Sequence, residues 1–477
     1  MNINKDVVRI IEILEKSGFE AYVVGGSVRD LLMGKIPKDW DLTTNALPEK
    51  MIEILPDARY ENIFGTVIVP VRNNDDKVEH VVEITTYRSE VGYTDRRRPD
   101  NIVFEKELEK DLERRDFTIN AMAMDKKMQL IDLFGGQKDL KKRIIRAVGE
   151  PFDRFKEDSL RMMRAIRFSA QLDFEIEPKT ERAMVKLAGS IKFVANERIK
   201  DELTKILSSK QAYDGIMKLY QTKLLQYIIP ELLLGVGMNQ AHHHINTVFE
   251  HNMLSLKHCP SEEWQVCLAA LLHDVGKPGS MKMINGEPTF YNHEYIGAKL
   301  VNKIMQRLKF GVNDTKRVVN LVRNHMFYYN VGEVTEHSVR RLIAKVGKEN
   351  LHDLMNIRMA DRLSSGVKKA KPYKLRHLEY MLEKVQHDPV SVKELKINGH
   401  DIMDYLKIAP GPKIGQIMDV LLSEVIEDPK NNEQNYLLKR SFELNKMNLE
   451  DFRAHAKKVI MDKRVEDDMV LRKDFKI

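Results

Sequence analysis

Cysteine is nearly absent: the 477 residues include only Cys259 and Cys267, with seven residues between them. Two thiols at that spacing build neither a disulfide framework nor a four-thiolate zinc site, and they point to a reducing cytosol. Long hydrophobic runs are missing too. No stretch approaches the roughly 20 apolar residues that cross a bilayer. The first amphipathic stretch is charged throughout, so neither secretion nor membrane anchoring is expected. Charge of one sign is also lacking, with 78 Lys and Arg against 71 Asp and Glu for a formal net charge of +7. That balance favours a polyanionic partner without demanding one, because steering depends on where charges cluster, as in Arg96-Arg97-Arg98, Lys141-Lys142-Arg143 and Lys368-Lys369. No internal repeat or low-complexity tract occurs. A chain this long exceeds one hydrophobic core, so two to four units are expected.

What is present divides by secondary-structure signal. Residues 1–147 mix strands and short helices, with Phe64 to Val71 and Val78 to Tyr87 reading as a hairpin around Asn73-Asn74-Asp75-Asp76. Beyond Arg146 strand signals fade. Segments such as Glu197 to Leu207 and His293 to Leu308 place apolar residues at i, i+3, i+4, the mark of packed amphipathic helices. The fold class is therefore α+β: an α/β head followed by a long helical remainder.

The chemistry begins at a glycine turn. Glu20 to Val24 reads as a buried strand entering Gly25-Gly26-Ser27, Val28 to Met33 as a short helix, and Asp39-Trp40-Asp41 as the start of a second strand. In an extended strand, i and i+2 leave the same face, so Asp39 and Asp41 can hold the same hard divalent cations. Backbone N–H groups of Gly25 and Gly26 can cradle phosphate oxygens, with Arg29 as a charged donor. Together they make a site expected at one sheet edge. Glu83 is a third acid, or else the structural partner of Arg29 or Arg88. Taken singly, a Gly-Gly is an ordinary turn and an Asp-x-Asp an ordinary cap or loop.

Asp158, Arg161 and Arg164 follow at i, i+3, i+6, on a helix whose other face carries Leu160, Met163 and Ile166. An ionised Asp only accepts hydrogen bonds and Arg only donates them. Side by side they match a base edge with an amino donor beside a ring-nitrogen acceptor, which cytosine and adenine share and guanine and uracil reverse. An ion pair on an exposed helix is the other reading. Further on, His251, His273-Asp274, His293, His325 and Asp361 sit on or beside apolar helices, where imidazoles and carboxylates can converge on a metal. Three adjacent histidines, His242 to His244, read as a helix-start cluster.

These motifs, with Glu83-Ile84-Thr85-Thr86-Tyr87-Arg88 and Arg114-Arg115-Asp116-Phe117-Thr118-Ile119-Asn120, resemble the bacterial and eukaryotic class of tRNA nucleotidyltransferases, the CCA-adding enzymes. Bacterial poly(A) polymerases are close relatives, within the DNA polymerase beta-like superfamily. The resemblance implies a nucleotidyltransferase head over 1–147, a helical neck over 148–235, a histidine-aspartate (HD) phosphohydrolase-type domain over 236–370, and a helical body and tail over 371–477 that measures the tRNA elbow. It implies Mg²⁺ on Asp39 and Asp41, with Glu83 beside them. Gly25, Gly26, Ser27 and Arg29 would hold the triphosphate, and Arg114, Arg115 and Asp116 would lie near the ribose. The motif Glu157-Asp158-x-x-Arg161 would select the base, with Arg164 and Arg167 on the same basic stripe of nucleotide-binding candidates. The segment Arg88 to Asp100, charged and lacking hydrophobic period, reads as a mobile loop, and by resemblance its presence favours a site that can switch to ATP. The HD resemblance assigns one ion to His251, His273, Asp274 and Asp361 and a second position to His293 and His325, with a divalent transition metal and hydrolysis of phosphate esters such as 2′,3′-cyclic ends. The implied reaction is cytosolic, template-independent addition or repair of the tRNA 3′-terminal CCA from CTP and ATP, with no obligate protein partner. Poly(A) synthesis, phosphohydrolysis as the main activity, and non-catalytic tRNA binding are the alternatives.

Overall fold

The computed structural model describes residues 2–475 except 63–64, 73–76, 92–100, 241–244, 328, 367–370, 387–391, 393–394 and 448–449. The hairpin turn at 73–76, most of the Arg88 to Asp100 segment, the His242 to His244 cluster and Lys368-Lys369 thus fall outside the described residues. The chain forms two units, Met1–His325 with His352–Val367, and Met326–Leu351 with Lys368–Ile477.

The first unit opens with helix α1 (Lys5–Lys16). Asn4 caps it by accepting the Asp6 N–H at 2.8 Å, and Val7, Ile10, Ile11 and Leu14 form its buried stripe. That stripe packs into the core beneath a seven-stranded sheet of β1 (Ala21–Val24), β2 (Trp40–Thr44), β3 (Arg59–Asn62), β4 (Thr66–Arg72), β5 (Val78–Thr86) and two short strands, Ala123–Met124 and Leu130–Ile131. Its order is β3-β4-β5-β2-β1 followed by the two short strands. β4 and β5 pair antiparallel as the expected hairpin, while β2 and β5 run parallel with Asp41 opposite Glu83. The acids therefore lie on the central strands, not at a sheet edge as the sequence suggests. Burial requires this: Trp40, Leu42, Val82 and Ile84 all point into the core and need neighbours on both sides. Arg88–Val91 is a strand paired with Asn101–Phe104, so the start of the segment read as a loop belongs to a β-ladder whose other strand follows that segment.

Helices take over after residue 147. The connection through helix α2 (Gly26–Leu32) lies between β1 and β2, and helix Leu108–Glu113 precedes a 3-10 turn, Thr118–Asn120, where a buried strand is one reading of the sequence. Helices Pro151–Glu157, Leu160–Leu172, Pro178–Leu187, Asn196–Leu207 and Ala212–Gln221 follow, then Val248–His258, Trp264–Leu272, His293–Arg307 and Val312–Asn324. The second unit packs its own core around Ile402, Ile417, Leu421, Leu437 and Leu444. Its Asn398 and Asp401 form a reciprocal capping box, and Pro412 starts the helix Pro412–Glu427, so the Pro- and Gly-rich stretch at 410–415 is a helix-opening corner. Among the described residues no helix is long and apolar enough to cross a membrane.

Candidate active site

The site is built at the end of β1. Gly25 has φ of +71°, a left-handed conformation that suits glycine, and a Cβ there would lie 3.0 Å from Arg115 Nη1 and 3.5 Å from Asp41 Oδ2. The glycine thus lets a cation and an acid approach the turn together. Ser27 fixes the acids from behind: its hydroxyl donates to the Asp39 carbonyl at 2.9 Å and accepts the Asp41 N–H at 3.3 Å. Ser27 is buried, and its hydroxyl serves the scaffold behind the acids. Asp39 is exposed just before β2, Trp40 is buried, and Asp41 is half-buried, so the two acids leave the same side. Glu83 is exposed on β5 beside Asp41. Burial pushes the Asp41 carboxyl above its ordinary range, Arg115 opposes this, and Asp39 adds to it. Burial, Glu61, Asp41 and Asp39 likewise raise Glu83. Hard oxygen donors whose mutual repulsion a cation would relieve fit a divalent metal.

Asp41 opens into a cavity of about 470 Å³ that Gly25, Gly26, Arg29, Arg114, Arg115, Asp116, Asp158, Arg161, Arg164 and Arg167 also line, together with Asn120, Phe168 and Arg198. Arg29 donates to Asp30 at 2.7 Å and to Asn120 Oδ1 at 2.9 Å, so it is not held by Glu83. Asn120 Nδ2 reaches Asp116 at 3.3 Å, and Arg164 Nε donates to the same carboxylate at 2.7 Å. This relay ties α2 to the 3-10 turn and to helix Leu160–Leu172. Burial alone would raise Asp116, but Arg164 and Arg161 hold it below the usual carboxylate range.

Asp158 and Arg161, the pair expected to read the base, depart from the single helix expected. Helix Pro151–Glu157 ends at Asp158, whose backbone is extended, and a new helix begins at Leu160. Asp158 Oδ1 accepts the Leu160 N–H at 3.0 Å, and Arg198 grips Asp158 with contacts of 2.7 and 3.3 Å. Arg161 donates instead to Glu157 at 2.8 Å and to the Arg114 carbonyl at 3.1 Å. Asp158 and Arg161 are thus not an exposed ion pair with each other; each is held by a separate partner on the wall of one cavity. Arg167 pairs with Glu202 at 2.7 Å.

Asp111, Asn120, Arg198 and Glu202 escaped the sequence reading. Asp111 carried a signal, since it stands one helical turn before Arg114 and Arg115. It is fully buried, accepts from Arg114 at 2.6 and 3.0 Å, from Arg115 at 3.2 Å and from Thr43 at 3.2 Å, and so orients both arginines. Burial pushes its carboxyl up, but Arg114 and Arg115 bring it below the ordinary value. A lowered folded-state pKa contributes stability above the unfolded value of about 3.9 that is lost as pH falls through the folded one. Asp111→Asn is expected to cost about 3–5 kcal/mol near neutral pH by removing the buried charge that faces two half-buried arginines. That deficit should begin to shrink as pH falls below about 4, where the unfolded chain's carboxylate takes up its proton, and should be gone only at the lower pH where the folded carboxylate protonates too. Thermal unfolding of both proteins at several pH values checks it.

With this geometry in hand, the comparisons are specific. Residues 21–146 match the model of the poly A polymerase head domain, residues 173–234 that of a probable RNA- and SrmB-binding site of polymerase A, and residues 294–440 a putative tRNA nucleotidyltransferase domain 2. A CCA-adding enzyme of Enterococcus faecalis is 32% identical over 442 residues, spanning 91% of this chain and 94% of that one. The chain belongs to the CCA-adding enzyme family. It is an RNA nucleotidyltransferase of that family. Another relative, an A-adding tRNA nucleotidyltransferase of Deinococcus radiodurans, is 36% identical over 66% of this chain and 74% of its own. The crystal structure of the Bacillus stearothermophilus CCA-adding enzyme in complex with CTP superposes with a TM-score of 0.58 at 26% identity, covering 93% of this chain and 97% of that one.

This CCA-adding enzyme family member carries a second cluster in the same unit. His251, His273 and Asp274 form one group of converging donors, and Asp274, His293 and His325 another, so Asp274 is common to both. Asp361 joins the first, 3.2 Å from His251. His273, His293 and His325 each turn Nδ1 to a backbone carbonyl, of Ala270, Phe290 and Val322, at 2.9, 2.8 and 2.7 Å. A carbonyl only accepts, so Nδ1 carries the proton and Nε2 is the atom turned to the centre. Nε2 atoms face each other at 3.2 Å between His251 and His273 and at 3.3 Å between His293 and His325. Burial, then His273, lowers His325 to about 3, so it stands neutral. Burial opposes charge on Asp274, yet His273 and Lys277 hold it well below the carboxylate range, with Lys277 Nζ at 2.6 Å. Imidazole nitrogens gathered around a shared carboxylate are a donor set that fits a divalent metal with nitrogen and oxygen ligands.

Proposed function

We propose that this chain adds or repairs the 3′-terminal C, C and A of tRNA, using CTP and ATP, releasing pyrophosphate and copying no template. One observation carries this reading: Asp41, the glycine turn, and the acceptor-donor pair Asp158 and Arg161 open into a single cavity. The name of the E. faecalis relative and the CTP bound by the B. stearothermophilus structure support it. Complete addition is favoured over A addition because likeness to the CCA-adding relative spans 91% of the chain against 66% for the A-adding one. Asp39 and Asp41, with Glu83 beside them, would hold Mg²⁺, which when bound lowers the pKa of the attacking hydroxyl and neutralises the triphosphate. Gly25, Gly26 and Arg29 receive the phosphates, Asp111 aims Arg114 and Arg115 from beneath, and Asp116 faces the ribose. Asp158 accepts the base amino group and Arg161 donates to the ring nitrogen, which admits C and A and rejects G and U. The tRNA 3′-hydroxyl is the nucleophile, so no covalent enzyme intermediate forms. The division into head, neck, histidine-rich domain and tail at 147, 235 and 370 goes with this reading, as does a cytosolic setting with both cysteines as free thiols.

The test is incorporation of one labelled nucleotide at a time into tRNAs ending before C, CC and CCA. Stepwise C, C, A with arrest supports the reading; a long A tail makes the chain a poly(A) polymerase; no incorporation overturns both.

The histidine cluster favours a second activity, a metal centre of HD phosphohydrolase type on His251, His273, Asp274, His293, His325 and Asp361. A bound transition metal would supply a water nucleophile near neutral pH, while Lys277 restrains the shared carboxylate. After stripping with chelator, Co²⁺ or Mn²⁺ at about a hundred times its dissociation constant should stabilise the protein by about 2.7 kcal/mol, read as a higher unfolding temperature. His273→Ala should abolish that gain while leaving CTP incorporation intact. Release of 2′- or 3′-monophosphate from 2′,3′-cyclic AMP by the metal-loaded protein is the matching activity assay.

A further inference from the structure

Phe168 lines the cavity, yet neither its sequence position nor the reaction explains why an aromatic ring stands among so many cations. Three guanidinium groups gather over this one ring: Arg167 at 4.1 Å from its centroid, and Arg29 and Arg164 each at 5.4 Å. They come from helix α2 and from helix Leu160–Leu172, so the ring bridges head and neck. Phe168 is 6% exposed, and Phe117 holds it edge-on at 5.8 Å and 81°. Its orientation is therefore set by packing and does not depend on substrate.

Like charges this close repel. Each arginine has one acidic partner, Asp30, Asp116 or Glu202. The Arg167 Nε and Glu202 Oε2 atoms lie 2.7 Å apart without hydrogen-bond alignment, so the ion pair alone does not set the plane of that guanidinium. The ring face does. A carboxylate in its place would draw the arginine N–H groups inward and cancel their charge, whereas an aliphatic side chain would leave the repulsion uncompensated. An aromatic quadrupole attracts the cations and accepts few of their donors, so the remaining N–H groups stay directed at the cavity.

We propose that Phe168 is a positioning residue for the nucleotide triphosphate: its ring gathers Arg29, Arg164 and Arg167 into an anion receptor that serves CTP and ATP alike. This rests on the nucleotide-transfer reading above. The recognised group is the polyphosphate, common to both substrates, so the ring has no part in choosing the base.

Steady-state kinetics of Phe168→Leu and Phe168→Tyr on tRNAs awaiting C or A test it, alongside protein carrying pentafluorophenylalanine at 168, which keeps the ring's shape and reverses its quadrupole. Phe168→Leu and the fluorinated protein should raise KM for CTP and for ATP together by roughly tenfold, with kcat within about threefold, while Phe168→Tyr stays close to wild type. The fluorinated protein decides the matter where Phe168→Leu fails to fold. An unchanged KM in it, or a rise for only one of the two nucleotides, overturns the proposal. A wild-type protein that incorporates neither nucleotide overturns instead the reading on which it rests.

Discussion

Asp41→Asn is expected to abolish nucleotide incorporation, with kcat/KM for CTP falling at least about a thousandfold, while the protein remains folded and no less stable. The substitution keeps the shape of the side chain and removes one oxygen ligand's charge. Several kcal/mol of transition-state stabilisation depend on the proposed cation pair, and each 1.36 kcal/mol is a factor of ten. Stability should hold or rise because burial and Asp39 both work against the Asp41 carboxylate, opposed by Arg115. A neutral amide relieves that conflict, as at many sites where function is kept at a cost in stability. Incorporation of labelled C into tRNA lacking CCA, with thermal unfolding of the same preparation, measures both. Activity within tenfold of wild type would remove Asp41 from the reaction.

The second large effect concerns which base is accepted. Asp158→Ala should reduce the preference for CTP over UTP by roughly a hundredfold, since a hydrogen bond to a charged group contributes about 1.5–3 kcal/mol. The change should act by weakening CTP and ATP and by easing entry of UTP and GTP, because the alanine neither accepts the amino group nor repels a carbonyl. Competition between equimolar nucleotides on one tRNA reads this ratio directly. A preference that survives the substitution would place base selection elsewhere in the cavity.

How much of this was legible follows from how local each feature is. Gly25, Gly26, Asp39 and Asp41 lie within one strand-turn-helix-strand unit, so alternation and turn chemistry alone bring them together. The α+β architecture followed from the loss of strand signal after Arg146, and the matched CCA-adding enzymes share it. Asp158 and Arg161 were read as neighbours on a continuous helix because their spacing fits one. The extended backbone at Asp158 shows that an Asp-Ser pair instead stops one helix and starts the next, a competition between side-chain capping and helix continuation that periodicity does not register. Arg198 and Glu202 were not legible, since their partners, Asp158 and Arg167, lie about 35–40 residues earlier, outside the helix that carries them. The histidine cluster was legible in its members but not in its arrangement: Asp274 common to two groups, with Lys277 beneath it, needs four helices to be packed before it exists.

The break at Asp158 and the bond from Arg161 to the Arg114 carbonyl have a bearing on how such proteins could be recombined. The proposed reaction centre and the proposed reader of the base belong to different stretches of chain, sewn together by a main-chain atom that every sequence possesses. A chimaera spliced near residue 147 would inherit its chemistry from one parent and its choice of letter from the other.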